Sequence, residues 1–272
     1  VGEPPESLLD AADDEYLQAA ATTQADLATL APKVTHTVRD AMHDADPDLD
    51  ADVAAWFADD CPLPRLTLLG PVRARTRGTP LIDRKPHMTE VLTYIATRPH
   101  GATPEELADA LGITLGKARD YAGIVRAWLG INPRTGEGHL PDARQSPAAR
   151  ASGVGTYQVL DLLVDADLFR RLRARGQTRG PDGIHDLTTA LRLVQGQPFD
   201  QRRPNGWAWL HEGDRLDHHL TTAIVDVAHT VTTIALANGQ YSQAQAAAEL
   251  AALTAPDETT PQLDLAAIAN TD

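Results

Sequence analysis

The stretch that most constrains this chain is Thr103–Gly130, TPEELADALGITLGKARDYAGIVRAWLG. Thr103, Pro104 and Glu106 stack three helix-start signals: a capping hydroxyl, a proline whose missing N–H costs nothing in the first turn, and a glutamate that reaches back to the cap. Leu107, Ala110 and Leu111 supply a buried face, and Gly112 closes the helix. Thr114 then caps a second helix. On it Ala118, Ala122, Val125 and Leu129 recur at i, i+4, i+7 and i+11, so that side turns to a core. The opposite side carries Lys117, Arg119, Asp120, Gly123 and Arg126, and Gly130 ends the run. Two helices around a tight turn read as a helix-turn-helix, which presents its second helix to a DNA groove or to a partner.

The flanks turn this motif into a larger unit. Leu66, Leu68 and Val72 alternate around Gly70-Pro71 and predict short strands with a break, and Leu81-Ile82 a further short strand after Gly78-Thr79-Pro80. A helix follows, with Pro86 in its first turn and Met88, Val91, Leu92 and Ile95 at helical spacing. Ile131 to Gly155 is rich in Pro, Gly and Arg, and Thr156 to Leu160 returns to a strand pattern. Strands, three helices, a loop and a closing strand are the order of a winged helix with an N-terminal sheet. Residues 64–166 are assigned to it.

The chain of 272 residues has room for two domains with cores of their own. Aromatics are only 4% of it, so those cores rest on Ala, Leu, Val and Ile. The net charge of −14 is unevenly spread. Residues 1–63 hold 15 acids against 2 bases, residues 64–166 hold 13 bases against 10 acids, and residues 167–272 hold 9 bases against 13 acids. The helix-turn-helix thus sits in the only net-positive third, with an excess too small for a strong electrostatic footprint on nucleic acid. Residues 1–63 read as an acidic helical lead-in or linker. Leu8, Leu9, Tyr16 and Leu17 could line one helix, and Leu27, Leu30, Val34 and Val38 another. His43–Asp52, with five aspartates, reads as a solvated linker, and Val53–Phe57 as an apolar patch that docks on the next domain.

From residue 167 to 272 the pattern is helical. Leu168, Phe169 and Leu172 open one helix, and Leu187, Ala190, Leu191 and Val194 mark the next. Helices are expected from about Trp207 to Leu216, His218 to Ala237, Tyr241 to Leu253 and Gln262 to Ile268. The pair joined by Asn238-Gly239 and stopped by Pro256 has the grammar of a tetratricopeptide-like hairpin. Trp207 and Trp209 cannot share one helix face, so one is expected in a core and the other exposed.

These pieces in this order resemble the Streptomyces antibiotic regulatory protein type of transcription factor. That family joins a winged helix of the response-regulator effector type to a helical bacterial transcriptional activator domain. The matching pieces are LTLLGPVRA, RKPHMTEVLTYIATRPHGATPEELADALG and VRAWLG, then GTYQVLDLLVDADLF, TALRLVQGQPF, GWAWL and LANGQYSQAQAAAELAALTAPDE. The resemblance covers roughly residues 64–260 and is nearest to a subgroup in large actinobacterial multidomain proteins. It implies a mainly α fold with small β-sheets, a winged helix-turn-helix followed by a tetratricopeptide-like domain, and DNA binding. Three departures stand out: family DNA binders carry a more basic third helix, the wing here is long, and the helical domain is short.

Other chemistry finds little support. Gly112–Ala118 resembles a phosphate loop but is one residue short, with Ala118 where Ser or Thr would hold magnesium. His211, Asp214, His218 and His219 lack any standard metal-ligand spacing. No Gly-x-Ser-x-Gly elbow occurs. Cys61, the single cysteine, stands among carboxylates that disfavour a thiolate, and the chain holds no internal disulfide. No cofactor, metal site or enzymatic activity is therefore expected. There is no apolar run of about 18 residues and no signal peptide, so no membrane contact and a cytoplasmic location are expected. A start at Val1 is what a piece of a longer protein would show.

Two functions compete. In the first, Lys117 and Arg119 enter the major groove, Arg126 lies toward phosphate, and Arg134, Arg144 and Arg150 of the wing touch the backbone or the minor groove. In the second, the fold serves protein contact or self-association through the helical domain. A continuous positive stripe from Lys117 and Arg119 to the wing arginines favours DNA. Interruption by Asp120, Glu105 and Glu137 favours the interaction module.

Overall fold

A computed structural model describes residues 46–213 and 215–270. The lead-in helices expected around Leu8–Leu17 and Leu27–Val38, and Asp214, lie outside the described residues. The fold is mainly helical with one small sheet, in two compact units. Among the described residues, 50–168, 198–213 and 215–219 form a winged unit, and 46–49, 169–197 and 220–270 a helical unit.

In the winged unit, α1 (Leu49–Phe57) precedes β1 (Arg65–Thr67) and β2 (Arg73–Arg75), then α2 (Lys85–Ala96), α3 (Pro104–Leu111) and α4 (Leu115–Leu129). A short α5 (Pro147–Ser152) and β3 (Leu163–Val164) follow. The sheet order is β2-β1-β3, with β1 antiparallel to β2 and parallel to β3. The capping box forms as its residues predict: Thr103 Oγ1 accepts from the Glu106 amide at 3.1 Å, and Glu106 accepts from the Thr103 amide at 2.8 Å. Gly112 takes the left-handed conformation, φ 61°, that ends α3, and Thr114 caps α4. Ala118, Ala122, Val125 and Leu129 are all fully buried, as their spacing requires.

Several expectations fail for identifiable reasons. Leu81-Ile82 is no strand, and Ile82 is 96% exposed. The Gly78 and Thr79 amides are spent on Trp128 O and Ala127 O, and Pro80 has no amide to offer a ladder. Thr156–Leu160 shrinks to one bridge, Ala102 to Tyr157, and the true closing strand is β3. Between them Ser146 caps the helix α5, with Pro147 in its first turn. His43–Asp52 is not a linker over its described part. Asp46 forms a two-pronged ion pair with Arg171 at 2.7 and 2.8 Å, and α1 begins at a fully buried Leu49. Of the apolar patch Val53–Phe57, Trp56 is buried while Phe57 stays exposed, and Arg65 donates to Ala55 O and Ala58 O.

Segment 198–219 belongs to the winged unit rather than with its sequence neighbours. The Phe199 amide donates to Leu68 O and the Asp200 amide to Gly70 O. Its helix α8 spans only Ala208–Glu212, and Trp207 precedes it in a left-handed conformation. That kink brings both indoles inside, 2% and 8% exposed, with centroids 5.6 Å apart. The expectation of one buried and one exposed tryptophan assumed a single straight helix.

The helical unit holds most of α6 (Asp165–Thr178), a 3-10 turn at Gly180–Gly183, α7 (Ile184–Leu191), most of α9 (Leu216–Ala237), α10 (Tyr241–Thr254) and α11 (Thr259–Ala269). Ala235 of α9, Ala244 and Ala248 of α10 and Ile268 of α11 pack as one cluster, the small residues letting the helices approach closely. By length and composition α9 could cross a bilayer, although no uninterrupted apolar run is present. Here Leu220, Ile224, Val227, Ala228, Val231 and Ala235 are buried within the protein. Asp186 accepts a two-pronged pair from Arg175 at 2.7 and 2.9 Å and a third bond from Arg179 at 3.0 Å.

Candidate nucleic-acid interface

The cap at Thr114 and the buried alanines of α4 leave the other side of that helix open. Lys117, Arg119 and Asp120 are exposed on its N-terminal half, and neither cation has an ion pair among the described residues. A Cβ built on Gly116 or Gly123 would meet nothing within 4 Å, so the helix backbone is approachable there. The C-terminal half is apolar: Ile124 is 39% exposed, and Ile131 just beyond the helix is 65% exposed.

Arg126 is part-exposed but tied down. Its Nε donates to Leu140 O at 2.7 Å and its Nη2 to Pro141 O at 3.1 Å, with Asp142 at 4.0 Å. It braces the loop after α4. Arg134 is likewise held, with Asp161 at 2.7 Å and Asp52 of α1 at 3.5 Å, while Asn132 also binds Asp161. Arg144 and Arg150 are exposed and carry no ion pair among the described residues.

Two clefts run along this side. One of about 530 Å³ is lined by Arg119, Arg126 and Arg144, but also by Glu105 and Asp142. The other, about 630 Å³, places Arg126 and Arg150 with Glu137 and Asp142. The structure therefore gathers Arg119, Arg126 and Arg144 in one cleft and Arg126 with Arg150 in the next, and leaves Arg134 bound to its own aspartates. Acids share both clefts with the cations. With two acids to three cations in the first cleft and two to two in the second, little net potential reaches beyond a Debye length of about 8 Å.

Sequence reasoning missed two buried acids that hold the unit together and one exposed acid that lines both clefts. Glu90 of α2, 1% exposed, accepts from Arg203 and from the Trp207 amide and so anchors segment 198–207. Asp142, exposed, contributes to both clefts. Asp165, fully buried, accepts from the Leu68, Leu69 and Ala166 amides at 2.7–3.0 Å. Burial pushes its carboxyl up to about 7 against the pull of those donors. Its position in the first turn of a helix was the one available signal. The histidines near α8 form no metal cluster among the described residues: Arg202 lies 3.2 Å from His211 Nε2, and Arg215 contacts His218 Nε2.

No family model matches the chain, and no curated protein matches it. Among solved structures, it is similar to Mycobacterium tuberculosis EmbR in complex with a low affinity phosphopeptide. Identity is 18% and the TM-score 0.38, over 77% of this chain and 65% of that one. The chain thus spans less than two thirds of that neighbour's length. The winged helix and the helical hairpin stand on the geometry described above.

Proposed function

We propose that this chain is a transcriptional-regulator-like protein whose winged helix works as a protein-docking module, with the helical unit as a second interaction domain. The interleaving of acids and cations in both clefts carries this reading: Glu105 and Asp142 line one with Arg119, Arg126 and Arg144, and Glu137 and Asp142 line the other with Arg126 and Arg150. The exposed Ile124 and Ile131 add to it, since a phosphate-lined groove rewards neither. The regulator class rests on the helix-turn-helix itself and on the resemblance to the Streptomyces antibiotic regulatory proteins. The cytoplasm is the setting proposed for it.

DNA binding is the second reading, favoured by the open N-terminal half of α4, where Lys117 and Arg119 have no ion pair among the described residues. Mobility shift of mixed genomic duplexes separates the two. Docking to protein alone gives no retardation even at about 50 mM salt, where phosphate attraction is strongest. DNA binding through Lys117, Arg119, Arg144 and Arg150 gives retardation with a log–log salt slope of about −3 to −4. K117E/R119E then abolishes it.

A further inference from the structure

We propose that the exposed side of α4 is a self-docking surface, on which a second copy of the chain packs antiparallel about a two-fold axis near Ile124. This rests on the protein-docking reading above and names its partner. Exposed aliphatic side chains gather at the C-terminal end of this helix. Ile124 and Ile131 lie on it or just past it. The loop carrying Ile82, 96% exposed, is tied to the same end by the Gly78 amide to Trp128 O at 3.0 Å and the Thr79 amide to Ala127 O at 2.8 Å. Exposed aliphatic side chains near one helix end offer apolar area to a partner, and the open space over Gly116 and Gly123 lets a second helix come close.

The charges select a second copy as the occupant. Lys117 is exposed at one end of the surface without an ion pair among the described residues. Glu137 is exposed at the other end, in the turn that the Ile131–Gly138 bridge folds back against the helix terminus, and it too has no ion pair among them. Ile124 lies about 10 Å along the axis from Lys117, and Ile131 stands just past the other end of the helix, which stops at Leu129. A two-fold antiparallel arrangement about Ile124 therefore sets each Lys117 over the partner copy's Ile131–Gly138 end. The Lys117–Glu137 attraction forms twice while the isoleucines meet in the middle. A DNA groove on the same surface would meet those isoleucines and the Glu137 carboxylate instead.

Sedimentation equilibrium of the full chain tests the proposal. The expected result is a dimer whose population rises from about 1 to 300 µM protein. I124E, at an exposed position, raises the dissociation constant by about tenfold or more, because it sets two carboxylates against each other on the axis. K117E and E137K each weaken the dimer, and K117E/E137K together restore it, with circular dichroism unchanged throughout. A chain that stays monomeric, a dimer indifferent to I124E, or a double exchange that fails to restore association overturns the proposal. A monomer that also leaves DNA unretarded overturns self-docking only, whereas retarded duplex overturns the docking reading beneath it.

Discussion

Asp165 offers the most direct test of how the winged unit is held. Its Oδ1 accepts from the Leu68 amide at 2.7 Å and the Ala166 amide at 2.7 Å, and its Oδ2 accepts from the Leu69 amide at 3.0 Å. In Asp165→Asn the oxygen can serve Leu68 and Ala166, but the new –NH₂ faces the Leu69 N–H with no lone pair to offer. A buried donor left unsatisfied costs about 1–3 kcal/mol. The pH dependence sharpens this. The folded carboxyl is pushed up to about 7 from an ordinary 3.8, so the folded state binds its proton more tightly than the unfolded state. The stability linked to that proton is fully present below the unfolded value and lost as pH rises through 7. At ~1.4 kcal/mol per pH unit, roughly 3 kcal/mol disappears between pH 5 and pH 8. Asparagine does not titrate. The variant should therefore be less stable than the wild type at pH 5 and match or overtake it by pH 8. Urea unfolding followed by tryptophan fluorescence is the assay, because Trp56, Trp128, Trp207 and Trp209, all the tryptophans of the chain, lie in the winged unit. If the variant is weaker by the same amount at every pH, the carboxylate is ionised throughout, the amide cradle outweighs burial, and the reasoning fails.

Two further outcomes concern the helical unit. Asp186→Ala strips Arg175, whose side chain is 10% exposed, of its buried carboxylate. Breaking such a pair costs about 3–5 kcal/mol, and thermal melting by circular dichroism should show an early loss of helix; an unchanged melt would mean that the pair is neutral. His229 Nδ1 lies 2.9 Å from the buried carboxylate of Asp264, and that hydrogen bond raises the histidine's pKa above its ordinary 6.5. Its contribution is full below 6.5 and fades as pH climbs through the raised value. Amide exchange in α11 should accordingly quicken from pH 6 to pH 8, after correction for intrinsic rates, and His229→Gln should remove the difference. A wild type and variant with the same pH trend would contradict it.

Much of the helix-turn-helix was legible because its signals are local. The Thr103–Glu106 box, the Gly112 stop and the i, i+4 alanines of α4 act within one or two turns of chain, so adjacent residues specify them. What escaped depends on distant groups. The Trp207–Trp209 pair required a left-handed residue that Glu90, more than a hundred positions away, anchors through the Trp207 amide. The strand expected at Leu81-Ile82 failed because its neighbours' amides were claimed by the end of α4. For the candidate site, residue type and helix face located Lys117 and Arg119 correctly on the open side. No pattern could tell that Arg126 braces Leu140 and Pro141, or that Arg134 is held by Asp161 and Asp52.

By itself, the sequence determined α3 and α4, their caps and the buried side of α4, because these follow from periodicity and short-range hydrogen bonding. It also determined that acids nearly balance bases in residues 64–166. Only the tertiary structure decided where those charges meet. It returned segment 198–219 to the winged unit. It spent two arginines on internal carbonyls and carboxylates. It placed Glu105 and Asp142 in the same cleft as Arg119 and Arg144. Electrostatic potential depends on distance in space, and residues far apart along the chain come within a few ångströms of one another only once the chain has folded.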